Sequence, residues 1–380
     1  MSHNCIVCGG KGLVPSIPLE GMLGVTSDCK PWPRLAQIAF CASCGHVQKI
    51  LSDDWYEDIK SIYGNYEMYP LSAGSEQKVF DNGAGSPRTF KLLGEITKHW
   101  NFRESGKFLD YGCGNGAMIK SFGVMFPKWQ LFGYEQNDIN REEISSVVGA
   151  KNFFSGGLEG IHEKFDVISL IQVIEHIVNP VALLVSLGKL LNPGGILIIH
   201  TTNIIENPFD ITVADHCSHY TLDTLRINVE QAGFGVVAES GSWIPKDIAM
   251  IASIASGDWE NKAGGMPKPV KDLALPAIQW LWKVKADAER IAKDGTLGIL
   301  GTAIAGTWLA NELNGKCAFF VDEDMLRVGK THMGKKILSL AEAPEGCHLY
   351  LPFPPKIALE IGRHISDSGF KGQVCCPPSF

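Results

Sequence analysis

Residues Phe108 to Ile119, FLDYGCGNGAMI, constrain the fold of this chain more than any other stretch. An apolar strand pattern runs into Asp110, glycines follow at every second position (Gly112, Gly114, Gly116), and a helix pattern takes over at Ala117. Glycine is what a chain uses where its backbone must turn sharply and let a ligand come close. A tight strand-to-helix turn of this kind belongs to the nucleotide-binding edge of a doubly wound α/β sheet. Gly112, Gly114 and Ala117 also satisfy the dinucleotide pattern G-x-G-x-x-G/A, so the turn by itself leaves the cofactor open.

The α/β rhythm continues on both sides. A helix pattern from about Thr89 to Trp100 leads into the turn, and WQLFGYEQND reads as a second strand ending in Glu135, with Gln136 beside it. An acid there can accept hydrogen bonds from the two hydroxyls of a ribose, in either of two adenosine cofactors. FDVISLI (Phe165 to Ile171) is the unbroken apolar run of a buried parallel strand. QVIEHIVNP is expected to continue it, VALLVSLGKLL to form a helix, and NPGGILIIHTTN to form a turn and another buried strand.

At 380 residues the chain is long for one core, which predicts two or three domains. A net charge of -7 argues against a nucleic-acid binder that relies on neutralising phosphates. The N-terminus lacks a basic segment followed by an apolar run, and no stretch reaches the roughly 18 apolar residues of a membrane span. These features place the chain in the cytoplasm, off the membrane, where its eleven cysteines are thiols or metal ligands rather than disulfides.

Four of those cysteines form two C-x-x-C pairs, Cys5 with Cys8 and Cys41 with Cys44, each followed directly by glycine. Two such knuckles can place four soft ligands around one tetrahedral ion, so a single structural zinc is expected. Four thiolates leave no open coordination position, and zinc binding there is coupled to folding of the module. Beyond it, Leu51 to Ser86 is rich in tyrosine; Tyr56, Tyr63, Tyr66 and Tyr69 suit either a connector covering the zinc module or a lid over a polar substrate.

Substrates of open α/β sheets sit beyond the carboxyl ends of the strands. The candidates there are Gln172, Glu175 and His176 after the FDVISLI strand, and His200, Asn203, Asp215, His216, Ser218, His219 and Tyr220 after the next. The H-x-x-H at 216 and 219 is a weak metal signal without a third ligand. After Ser256, GDWENKAGGMPKPVKD has the composition of a linker. A helix pattern follows from about Leu273 to Lys293, and TLGILGTAIAGTWLANEL repeats the strand, glycine turn and helix in miniature before CAFFVDED.

In D-Y-G-C-G-N-G at 110 to 116, G-Y-E at 133 to 135, F-D-V-I with V-I-E-H-I at 165 to 177, and L-N-P-G-G-I-L-I-I at 191 to 199, the chain resembles class I S-adenosylmethionine-dependent methyltransferases. The acid two residues before the first glycine belongs to that family's first motif and is not required by the dinucleotide one. The resemblance implies that Gly112, Gly114 and Gly116 pass the cofactor's methionine portion, that Asp110 fixes its amino-acid end, that Glu135 and Gln136 hold the ribose side, and that Ser155 to Leu158, with Gly157, line the adenine.

The wider layout resembles the sugar C-methyltransferases that act on nucleotide-linked keto-deoxysugars: a zinc-binding module (1–75), a methyltransferase core (76–256) and a Rossmann-like substrate-binding domain (257–380). A-D-H-C-S-H-Y at 214 to 220 is similar to that family's E-H-x-S-Y segment. Carried over, His216 is the base, Asp215 stands where the family has glutamate, His176 is the second active-site histidine, Gln172 stands at an asparagine position also near the cofactor, and Tyr66 and Tyr69 loosely match an N-terminal tyrosine. Val213 departs from a usual tyrosine. Gly301, Thr302 and Asp322 would touch the nucleotide. Histidine, titrating near 6.5, suits removal of a proton beside a ketone. The expected protein is a monomer or homodimer. O- or N-methylation of a small metabolite on the same scaffold, and a zinc-module binding protein with a vestigial methyltransferase fold, remain the alternatives.

Overall fold

The computed structural model describes residues 4–15, 19, 21–67, 71, 78–81, 84–138, 140–149, 152–255 and 271–380. At its centre, helix α1 (Arg88–Ile96) precedes β1 (Lys107–Tyr111), α2 (Ala117–Met125), β2 (Gln130–Glu135), α3 (Arg141–Val148) and β3 (Phe153–Ser155). Then come β4 (Phe165–Ile171), α4 (Pro180–Gly188), β5 (Leu191–Thr202), α5 (Leu222–Gln231), β6 (Phe234–Ser240) and β7 (Asp247–Ile254). The seven strands lie in the order β3-β2-β1-β4-β5-β7-β6, all parallel except β7, which runs antiparallel to both neighbours.

Strands in the middle of such a sheet are covered on both faces, and their residues are accordingly apolar throughout. Phe108, Leu109, Ile168, Leu170, Leu197 and Ile199 have no measurable exposure. The strand order reverses at β1, so its carboxyl end and that of β4 open a crevice at the topological switch point.

Two local expectations are corrected. β4 does not continue through QVIEHIVNP: it stops at Ile171, Gln172 takes a left-handed backbone (φ 55), and Ile174–His176 form one 3-10 turn. A bulky residue in that region is uncommon and turns the chain sharply, which swings Glu175 and His176 across the strand ends. The NPGG turn is carried inside β5 as an irregularity: pairing with β4 steps from Phe165 opposite Leu191 to Val167 opposite Ile196, with Gly194 at φ 76.

The C-terminal unit has helix Lys271–Asp294 and a six-stranded sheet centred on Leu297–Leu300 and Cys317–Val321, as the glycine-turn pattern implies. The N-terminal segment bridges both units. Val25, Phe40 and Val47 share a core with Trp280 and Trp308 of the C-terminal unit, while Cys5, Val7, Cys41 and Cys44 pack with Leu109, Leu197 and Tyr220 of the central one. Strands Leu13–Pro15, Ile38–Cys41 and Val47–Lys49 form a small antiparallel sheet whose fourth strand is Ser218–His219, from the loop that follows β5.

Candidate active site

The glycine turn after β1 is built as its sequence requires. Gly112, Gly114 and Gly116 all have positive φ (73, 54 and 77). A Cβ at Gly112 would also lie 2.5 Å from Val173 Cγ2, so neither the conformation nor the space admits a side chain. The Gly112 and Cys113 N–H groups donate to the Tyr134 carbonyl at 2.9 and 3.0 Å, which ties the turn to β2. At the end of β2, Glu135 accepts from the Gly114 N–H at 2.6 Å and from the Gln136 N–H at 3.2 Å; burial raises its carboxyl pKa.

Asp110 is buried at the end of β1 and accepts from Ser169 Oγ at 2.6 Å. Ser155 pairs with Glu135, so Gly157 and Leu158 leave the sheet beside that acid, and the Tyr134 hydroxyl donates to the Gly156 carbonyl. Two carboxyl groups at adjacent strand ends suit a ligand carrying an ammonium and ribose hydroxyls and repel a pyrophosphate. The donor set and the glycine cradle therefore fit S-adenosylmethionine.

The polar cluster lies next to this turn. His216 Nδ1 is 2.8 Å from Asp210 Oδ1, and His219 Nδ1 is 2.6 Å from Asp210 Oδ2, so one carboxylate holds both imidazoles. The carboxylate that orients His216 is thus Asp210, which the sequence did not single out. Asp215 has a different role from an orienting partner of His216: it accepts from the Ser27 N–H and hydroxyl at 2.8 and 2.5 Å, and its Oδ2 stands 3.5 Å from His176 Nδ1. His176 also meets the Tyr63 hydroxyl at 3.0 Å and stacks edge-on against His216, with ring centroids 4.6 Å apart.

Electrostatics separates these groups. Burial presses on His216, but the charge and hydrogen bond of Asp210, with Glu175 and Asp215 behind, raise its pKa. Burial and the neighbouring His216 hold His176 down to about 4. Burial works against ionisation of Asp210, yet the two imidazoles outweigh it and hold the carboxyl well below its usual range. Divergent pKa values in one cleft mark groups that can exchange protons.

The remaining sequence candidates are distributed around this cluster. Gln172 Nε2 lies 3.2 Å from His200 Nδ1, and its backbone N–H donates to the His200 carbonyl at 2.8 Å. Tyr66 lines the cavity, its hydroxyl 3.4 Å from Ser27 Oγ; Tyr69 lies outside the described residues. Tyr220 turns into the core, donating to Asn228 Oδ1 at 2.9 Å. Tyr63 enters the site from the tyrosine-rich stretch that suits a lid, whereas Ser27 enters it without a sequence signal.

The loop carrying His216 is clamped by the N-terminal segment. The Ala214 N–H donates to the Val25 carbonyl at 2.7 Å, Trp55 Nε1 to the Ala214 carbonyl at 3.1 Å, and the Lys49 N–H to the Cys217 carbonyl at 3.0 Å. The fully buried Lys49 ammonium, brought down to about 8 by burial, donates to the Val213 carbonyl. On the opposite side the Cys217 N–H donates to the Glu175 carbonyl at 2.9 Å.

The four knuckle sulfurs lie within 4.8 Å of one another, with Cys5 and Cys44 at 3.6 Å and Cys8 and Cys41 at 3.5 Å. Thiolates bound to one zinc at about 2.3 Å stand about 3.8 Å apart at tetrahedral corners. None of the four is in a disulfide, and the group fits a closed four-sulfur metal site.

One cavity of about 1420 Å³ is lined by all of these features: Asp110 and Gly112, His176 and His216, and the C-terminal turn Gly301–Thr302 with Asp322. Thr302 Oγ1 donates to Asp322 Oδ2 at 2.8 Å. Among the described residues no helix is long and apolar enough to cross a membrane.

A family profile described as "Methyltransferase domain" matches residues 88–239. Among curated proteins, the ubiquinone biosynthesis O-methyltransferase of Cereibacter sphaeroides is 24% identical over 194 residues, 48% of this chain and 69% of the relative. The mitochondrial protein of the same name from Arabidopsis thaliana is 26% identical over 176 residues, covering 44% and 51%. Among solved structures, an S-adenosylmethionine-dependent methyltransferase from Clostridium acetobutylicum aligns with 53% of this chain and 99% of its own at 9% identity and TM-score 0.37. The mitomycin 7-O-methyltransferase aligns with 44% of this chain and 54% of its own at 17% identity and TM-score 0.37. The chain thus spans about two thirds of the first curated relatives and about half of that last structure. With the profile match and strand order in hand, the chain carries an S-adenosylmethionine-dependent methyltransferase domain of the class I α/β fold.

Proposed function

We propose that this enzyme methylates a carbon beside a ketone on a nucleotide-linked keto-deoxysugar, with His216 as the base. The observation that carries the reading is the buried His216–Asp210 pair, which lines one cavity together with the glycine turn after β1 and the C-terminal Gly301–Thr302 turn. A carbon acid needs a base that is held in one tautomer and shielded from water. Asp210 on Nδ1 leaves Nε2 of His216 as the nitrogen for the substrate proton, and Asp215, anchored by Ser27, keeps His176 alongside. Gln172 and Tyr66 border the same space. Asp110 and Glu135 would hold the cofactor, which supplies an electrophilic methyl when bound. The Cys5, Cys8, Cys41 and Cys44 group would hold one structural zinc, and its sheet supports the strand next to His216.

The names of the curated relatives favour a second reading, O-methylation of a small metabolite. Incubation of the protein with S-adenosylmethionine and, in separate reactions, TDP-, GDP- and CDP-linked keto-deoxysugars and hydroxylated aromatic acceptors, followed by mass spectrometry and carbon NMR of any product, tests the two. A methyl carbon bonded to a sugar carbon supports the first; a methoxyl product from either set of acceptors supports the second.

A further inference from the structure

Glu175 is unexplained by anything above. It is 1% exposed, no ion pair reaches its carboxylate among the described residues, and the Thr201 hydroxyl, too loosely placed for a well-formed hydrogen bond, is its one side-chain contact of that kind. A buried carboxylate so weakly satisfied is costly, and a native structure that keeps one does so for a ligand or a reaction. One donor atom each of Glu175, His176 and His216 lie within 4.8 Å of one another, and all three residues line the cavity. The two histidines already have their Nδ1 atoms engaged, by Asp210 and by Tyr63 and the Asp215 carbonyl, whereas Glu175 is held only through its backbone carbonyl, which accepts from Cys217. Its backbone is held in place, and beyond the loose contact with Thr201 its carboxyl oxygens keep their hydrogen-bonding capacity.

We propose that Glu175 is a further catalytic residue, a neutral carboxylic acid that donates its O–H to the substrate oxygen on which charge develops when His216 removes the neighbouring proton. The proposal rests on the carbon-acid reading above. In that step the C–H bond breaks and the proton passes to His216 Nε2. The electron pair forms the carbon-carbon double bond, and the carbonyl π pair moves onto oxygen, where the Glu175 O–H meets it. No atom or electron is left over, and the reverse step returns the proton to carbon. Burial lifts the Glu175 carboxyl to about 7, which keeps a substantial protonated fraction at neutral pH. A neutral acid in a dry site is a strong donor to an oxyanion and adds no like charge to it.

Two measurements on the full-length protein test this. The first is infrared difference spectroscopy of wild type against Glu175→Gln at about pH 6 and about pH 9. A protonated-carboxyl stretch should be present in wild type at the lower pH, absent at the higher pH and absent from the variant. An ionised Glu175 at the lower pH overturns the proposal.

The second is deuterium exchange into TDP-, GDP- and CDP-linked keto-deoxysugars in heavy water without S-adenosylmethionine. Wild type should exchange the proton beside the ketone. Glu175→Leu, which has no donor, should slow that exchange by about 100-fold with the probe's affinity nearly unchanged, and Glu175→Gln, which keeps a neutral donor, should recover part of it. Exchange at the wild-type rate in Glu175→Leu overturns the role of Glu175 and leaves the carbon-acid reading standing. Absence of exchange by wild type on every probe refutes that reading and the role of Glu175 with it.

Discussion

Asp210→Asn isolates the pair on which the proposed base depends. Asp210 is 4% exposed and accepts from two imidazoles at 2.8 and 2.6 Å. Asparagine keeps the shape and one acceptor oxygen but puts a donor where the second oxygen was. One histidine must then offer a lone pair at Nδ1, and its tautomer reverses. A charge-assisted hydrogen bond contributes about 1.5–3 kcal/mol, so the variant should lose roughly that much stability. His216 also loses the charge that raises its pKa, and proton removal should fall by about 10²- to 10⁴-fold. The pH dependence has a definite sign. The raised His216 gives stability that is complete below the unfolded value of about 6.5 and is lost as pH rises through its folded value. The depressed Asp210 gives stability present above about 3.9 and lost as pH falls toward its folded value. The destabilisation should therefore be largest between about pH 4 and about 6.5 and shrink on the alkaline side. Urea midpoints across that range, with nitrogen-15 spectra of the histidines, read both effects. An unchanged midpoint at about pH 5 together with an unchanged His216 titration would refute the reasoning.

Three further outcomes are expected. His216→Ala should abolish methyl transfer while isothermal titration still finds S-adenosylmethionine bound; turnover near that of wild type contradicts its role as base. Gly112→Ala forces a Cβ to within 2.5 Å of Val173 Cγ2 at a φ of 73, and should weaken cofactor binding by at least about tenfold while costing about 1–3 kcal/mol. Cys5→Ser should lower the zinc content from one per chain and expose the amides of Ser218 and His219 to hydrogen exchange, because their strand is part of the knuckle sheet. Native protection in a metal-free variant would separate the two.

The cofactor end of the site was legible in the sequence because it is built from consecutive residues. Asp110, the three glycines and Glu135 sit at strand ends that apolar runs delimit, and their placement at one turn follows from position along a strand. The catalytic end was legible only in part. His216 and His176 carried a motif resemblance, but Asp210 lies six positions before His216 in a 3-10 turn, a spacing with no helical or strand period to connect them. Ser27 and Lys49 are hidden for another reason: they reach the loop from the N-terminal segment, across separations of 188 and 164 residues. The knuckle cysteines were readable as one four-sulfur group, whereas the completion of their sheet by Ser218–His219 was not, since two residues make too short a strand for any periodic signal. Glu175 stood in view as a strand-end candidate; what the sequence lacked was how weakly its buried carboxyl is satisfied, which is a property of the packed interior.

The most direct test of the account is transfer from S-adenosylmethionine labelled with carbon-13 at its methyl, using the keto-deoxysugar nucleotides as acceptors and carbon NMR of the product. The account predicts a labelled methyl bonded to the carbon beside the ketone and coupled to it. A labelled methoxyl, or transfer to none of these acceptors, would contradict it.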